Sequence, residues 1–114
     1  MNNYIMVTTL CDKEEIANRI INTLLEKKLV SGSQVTKVHS KYWWNNELEE
    51  CDEFKLDFRT KESLFNEIEK EIKKIHDYDV AEISYVKIEN ASKEFLNWID
   101  ENVKKQNNKN KKNK

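Results

Sequence analysis

Among the side chains that can bind transition metals, three spread along the sequence are singled out as candidate ligands: Cys11, His76 and Glu82. Imidazole is the commonest transition-metal ligand, a carboxylate can complete or orient such a site, and a thiolate is a soft donor. Each also has a plain structural use. A histidine at the end of a helix can bond the last free carbonyls, and a cysteine at a strand end packs as a small hydrophobe. His39, the only other histidine, faces away from Val38 and Ser40 in an alternating stretch, towards solvent or a subunit contact. Glu50, Asp52 and Glu53, with Glu47 and Glu49, offer oxygen donors for a hard cation or simply a solvated acidic strand. No nucleophile, base and orienter stand in a recognisable motif, and one glycine makes no phosphate loop, so the chain reads as non-enzymatic.

The elements that must position these residues are legible from periodicity. Val35 to Thr60 reads as one long β-hairpin. Apolar residues fall mainly on the even positions (Val38, Tyr42, Trp44, Leu48, Phe54, Leu56, Phe58), with charged ones between them. Asn45-Asn46 is its turn signal, because asparagine tolerates positive φ. Arms of about 10 residues or more exceed the usual strand of ~5–6. One small core cannot cover such a ribbon. Tyr42, Trp43, Trp44 and Trp98 are therefore assigned to a subunit interface, with burial in the chain's own core as the alternative.

Before the hairpin, Tyr4 to Leu10 has the continuous apolar character of a central strand. Asp12, with Glu15 three residues on, predicts a capped helix whose stripe of Ile16, Ile20 and Leu24 runs to Lys28. Gly32, the only glycine, marks a bulge or a close approach. Thr60 is placed to cap a second helix carrying Leu64, Phe65, Ile68, Ile72 and Ile75. Ile83 to Ile88 follows as a strand, and Ser92 caps a last helix with Phe95, Leu96, Ile99 and Val103. The order is β-α-β-β-α-β plus a C-terminal helix. This is the split-βαβ, ferredoxin-like α+β arrangement, an antiparallel sheet with helices on one face.

Composition sets the outer bounds. The chain has 114 residues, one domain by size, and its 36% charge is offset by eleven aromatics that argue against disorder. Residues 104–114 hold six lysines and no acid, leaving 14 basic against 21 acidic residues in 1–103, a net of −7. The domain is therefore bounded at 1–103, and the Lys/Asn-rich stretch 104–114 is expected to be a disordered tail. Nucleic acid is an unlikely partner, since EFKLDFRT is acidic where an RNA-binding sheet of this fold is basic. No apolar run approaches a membrane span, no signal peptide precedes the first strand, and the two cysteines form no CxxC, so a cytoplasmic protein is expected.

In this order on this fold, several segments together resemble the CutA divalent-cation-tolerance family over residues 4–103. They are Thr8-Thr9, Glu14-Glu15-Ile16-Ala17, Glu26 to Leu29, Ser40-Lys41-Tyr42-Trp43-Trp44 and Glu49-Glu50 with Glu53. Arg59-Thr60, His76 to Ile83 and Phe95 to Ile99 continue the match. The resemblance implies a compact, PII-like homotrimer whose hairpins pair with neighbouring subunits. It implies Cu²⁺ or another divalent cation as a bound ion, weakly held, or a small ligand sensed at the intersubunit clefts. Of the family's metal positions only His76 carries over. The cysteine position falls near Thr8, the second histidine falls on Ile75, and the family's prolines are absent from a chain with no proline.

Overall fold

The computed structural model describes residues 3–105. Its elements are β1 (Tyr4–Cys11), α1 (Glu14–Glu26), β2 (Gly32–Trp44), β3 (Glu47–Lys61), a 3₁₀ turn (Glu62–Leu64), α2 (Phe65–Ile75), β4 (Ile83–Lys87) and α3 (Lys93–Asn102). The sheet order is β2-β3-β1-β4, with every neighbouring pair antiparallel. This is the ferredoxin-like α+β architecture, with β-α-β-β-α-β followed by one more helix.

Period 2 sorts the sheet into two faces. Ile5 and Val7 of β1 join Leu56 and Phe58 of β3 on one face, where Ile20 and Leu24 of α1 and Ile68 and Ile72 of α2 complete a buried core. Tyr4, Lys61, Arg59 and Gly32 share the other face, since Tyr4 pairs Lys61 and Gly32 pairs Arg59 across the ladders. There α3 contributes Asp100, which accepts from the Tyr4 hydroxyl at 2.8 Å and pairs Lys61 at 2.6 Å. Trp98 lies directly over Gly32, where an added Cβ would sit 2.9 Å from the indole Cη2. Close approach is thus why glycine stands here.

Two caps differ from the sequence expectation. Asp12 does not cap α1: Lys13 occupies the N-cap position with no side-chain bond. The Lys13 ammonium instead reaches Asp77 at 2.7 Å, and Glu14 and Glu15 supply the negative charge that a helix N-terminus favours. The helix ends at Glu26 rather than Lys28. Lys28 takes φ 58°, Leu29 N–H bonds the Leu24 carbonyl at 3.0 Å and Lys28 N–H bonds Leu25 at 3.0 Å, the Schellman pattern built without glycine. Thr60 does not cap α2 either. It is wholly buried inside β3, and its hydroxyl donates to the Leu29 carbonyl at 2.6 Å. Tertiary burial outcompetes the local capping preference. Ser92 does cap α3, accepting from Phe95 N–H at 3.2 Å.

The hairpin is the longest feature. β2 has 13 residues and β3 has 15, joined by Asn45 (φ 52°) and Asn46 (φ 64°), the left-handed pair a type I′ turn demands. β1 pairs with β3 only from Lys61 down to Phe54. From Val38 to Glu53 the hairpin is therefore a two-stranded ribbon beyond the sheet. Trp43 is 70% exposed and Leu48 68% exposed on it, while Tyr42 and Trp44 are about half covered. At the other end, Lys104 is tied to the body through its N–H to the Lys28 carbonyl (2.7 Å) and its ammonium to Glu67 (2.9 Å). The lysine-rich stretch from 106 onward lies outside the described residues.

Candidate functional site

The ribbon leans over a groove of about 660 Å³. Ser40, Tyr42 and Trp44 form one wall, Tyr78 to Glu82 the other, with Leu10 and Glu53 at its floor. Glu53 shares a face with the even-numbered residues of β2 because Val38 and Glu53 are opposite in register, and Lys41 and Trp43 complete the lining. The wall between α2 and β4 has no regular structure, so side chains hold it in place. His76 does most of this.

The His76 side chain is only 2% exposed. Its Nε2 lies 2.6 Å from the Leu10 carbonyl, and its Nδ1 accepts the Tyr78 backbone N–H at 3.2 Å. A carbonyl can only accept and a backbone amide can only donate, so these partners fix the neutral, Nε2-protonated ring. Both nitrogens are committed. The ring also packs on Tyr78, 4.6 Å between centroids. Tyr78 carries the chain of contacts onward: its hydroxyl donates to Glu53 Oε2 at 2.6 Å. Burial, then the Glu53 carboxylate, push the Tyr78 phenol far above its ordinary pKa, so it remains a donor. Glu53 is itself buried, where the sequence suggested a solvated acidic strand.

The three expected metal donors are not assembled. His76 has no lone pair free without breaking a backbone bond. Cys11 is wholly buried, its thiol contacting the Lys13 carbonyl at 3.7 Å, and burial raises its pKa, which disfavours the thiolate a metal needs. Glu82 is exposed and accepts from the Ser84 hydroxyl at 2.8 Å. Among the described residues no group of three or more His, Cys, Asp or Glu is arranged to hold a metal ion. A resident copper centre on Cys11, His76 and Glu82 does not fit these side chains.

The other face of the ribbon brings together residues that the sequence reading named only separately. His39 sits opposite Asp52, with Lys41 opposite Glu50. The imidazole spans both: Nδ1 is 2.7 Å from Asp52 Oδ1 and Nε2 is 2.7 Å from Glu50 Oε1. These hydrogen bonds, Asp52 first and then Glu50, raise the His39 pKa. The signal was present in the turn: centring it on Asn45-Asn46 places residue 39 against residue 52. A second, smaller groove of about 370 Å³ lies beside Trp98, which stacks on Phe95 at 5.7 Å between ring centroids.

A four-stranded ferredoxin-like sheet with an over-long, aromatic-tipped hairpin and a groove beneath it defines a small α+β protein of the CutA architecture. Comparison with known proteins agrees. The family model described as "CutA1 divalent ion tolerance protein" matches residues 5–102. The chain is 38% identical over 103 residues to the divalent-cation tolerance protein CutA of Archaeoglobus fulgidus, covering 90% of this chain and 99% of that one. It is 32% identical to the Pyrococcus horikoshii CutA over 101 residues, covering 89% and 98%. Among solved structures, CutA1 from Pyrococcus horikoshii superposes with a TM-score of 0.84 at 30% identity, over 89% of this chain and 99% of that one. The Archaeoglobus fulgidus CutA, described as periplasmic, superposes with a TM-score of 0.82 at 38% identity, over 91% and 100%. This chain belongs to the CutA1 divalent ion tolerance family.

Proposed function

We propose that the protein is a non-catalytic homotrimer serving divalent-cation tolerance, in which each ribbon lies against a neighbouring copy. The ribbon's free apolar surface carries this reading. Trp43 and Leu48 are opposite one another across the ladder and both are more than two-thirds exposed. An open two-stranded ribbon also leaves unpaired backbone donors and acceptors along its edges, which proteins normally cover. A second copy supplies both apolar surface and strand edge. Threefold stoichiometry is what the family resemblance implies.

Closing the groove beneath the ribbon with a neighbouring subunit would make a shielded cleft for a small ligand, the second reading. The half-covered Tyr42 and Trp44 on its wall favour it, since ligand sites are concave and mostly apolar with a few placed polar groups. We place the protein in the cytoplasm, in keeping with two free cysteines; no helix among the described residues is long and apolar enough to cross a membrane. Replacing Trp43 and Leu48 together by serine tests the reading. The variant should sediment at lower mass than the wild type while keeping its helical circular dichroism. Unchanged mass would end the ribbon's role in assembly.

A further inference from the structure

We propose that the groove beneath the ribbon binds an elongated organic cation, a linear aliphatic polyamine, with one ammonium on Glu53 and another over the Tyr42 and Trp44 rings. This rests on the second functional reading, in which the groove takes a small ligand, and names the class of that ligand. Glu53 is the anchor. It is 8% exposed and lines the groove floor. Its Oε2 accepts the Tyr78 hydroxyl at 2.6 Å, and it takes no other side-chain hydrogen bond among the described residues. None of the ion pairs among the described residues includes it. Buried charges in proteins are paired, because taking a carboxylate out of water without a counter-charge is costly. A cation entering the groove supplies the missing pair.

The walls select the kind of cation. Tyr42 and Trp44 share the ribbon face of Glu53, and each is 41% exposed. Aromatic faces attract ammonium groups within about 6 Å of the ring centroid, tryptophan most strongly. The opposite wall adds Asp79 and Glu82, so three carboxylates and one ammonium, that of Lys41, line the groove. That imbalance favours cations and repels anions. Val80, 73% exposed on the same wall, and Leu10 at the floor offer apolar surface to methylene groups. Length follows from the register. Val38 is opposite Glu53, and Tyr42 and Trp44 stand four and six residues further along β2. At about 3.3 Å per residue those steps are roughly 13 and 20 Å. A compact ion reaches one end only, whereas a chain with an ammonium at each end reaches both. A metal ion is not served, since among the described residues no group of three or more His, Cys, Asp or Glu is arranged to hold one. The groove volume of about 660 Å³ lies within the ~300–1,000 Å³ of small-molecule sites.

Spermidine is titrated into the full-length protein by calorimetry, and the Trp44 indole N–H signal, assigned with Trp44→Leu, is followed by NMR in the same buffer. A saturable heat and a saturable Trp44 shift are expected. Glu53→Gln removes the charge but keeps an acceptor for the Tyr78 hydroxyl, and it should weaken binding about tenfold or more. Trp44→Leu, at an exposed position that the fold does not need, should weaken it about threefold. Butylamine, with a single ammonium, should bind more weakly than spermidine. Glu50→Gln removes an equal charge from the other ribbon face and should leave the affinity unchanged. Equal affinity in Glu53→Gln and wild type, an equal loss in Glu50→Gln, or butylamine binding as tightly as spermidine would each overturn the assignment. A Trp44 shift with inorganic pyrophosphate and none with spermidine would overturn the cation while leaving the groove a ligand site. No shift with either at millimolar concentration would overturn both.

Discussion

Replacing His76 separates a structural imidazole from a metal ligand. His76→Ala removes a donor from the Leu10 carbonyl and an acceptor from the Tyr78 N–H, contacts of 2.6 and 3.2 Å at a side chain only 2% exposed. Buried polar groups left without partners cost ~1–3 kcal/mol each, less where water enters the space vacated, so the two together should cost about 2–4 kcal/mol. For a domain of this size 1 kcal/mol moves the melting temperature by roughly 3–6 °C, so a fall of roughly 6–24 °C is expected. His76→Gln can still donate to Leu10, and His76→Asn can still accept from Tyr78, so both should fall between alanine and wild type. Melting is followed by circular dichroism at one fixed protein concentration, because assembly makes stability concentration-dependent. An alanine variant as stable as wild type, or one that differs only when Cu²⁺ is present, would refute the strut and restore His76 as a ligand.

Other outcomes follow from the same physics. Thr60→Val, nearly isosteric, should destabilise by about 1–3 kcal/mol through the unpaired Leu29 carbonyl, read from denaturant midpoints; a change below 0.5 kcal/mol would show that water replaces the hydroxyl. Lys61, then Tyr4, hold Asp100 below the usual carboxylate range. The stabilisation from Asp100 is therefore full above the unfolded aspartate pKa and lost as pH falls through the lowered folded value. Asp100→Asn should melt below wild type at pH 7, and the gap should close in acid; a constant gap would contradict the linkage. Gly32→Ala should displace the Trp98 indole, seen as a shifted tryptophan emission, at a cost of about 1 kcal/mol.

The elements and their order were legible because periodicity and turn chemistry agreed along most of the chain. The asparagine pair located the turn, and the alternation through Phe54, Leu56 and Phe58 fixed which face of β3 is buried. The caps were less legible. Asp12 and Thr60 both have capping chemistry, but Lys13 takes the cap position and Thr60 is drawn into the core by the Leu29 carbonyl. The candidate site was legible only as residues, not as an arrangement. His76 was visible, but its partners Leu10 and Tyr78 offer backbone atoms, which every residue has and no sequence pattern marks. Glu53 looked solvated because the residue that buries it, Tyr78, lies 25 positions away across an irregular segment.

Sedimentation equilibrium of the wild-type protein at micromolar concentration tests the central claim most directly. The account predicts a single species at three times the 13.7 kDa chain mass, with Trp43 protected from iodide quenching. A species of 13.7 kDa whose Trp43 is freely quenched would contradict it, leaving the ribbon as exposed in solution as it is in the isolated chain.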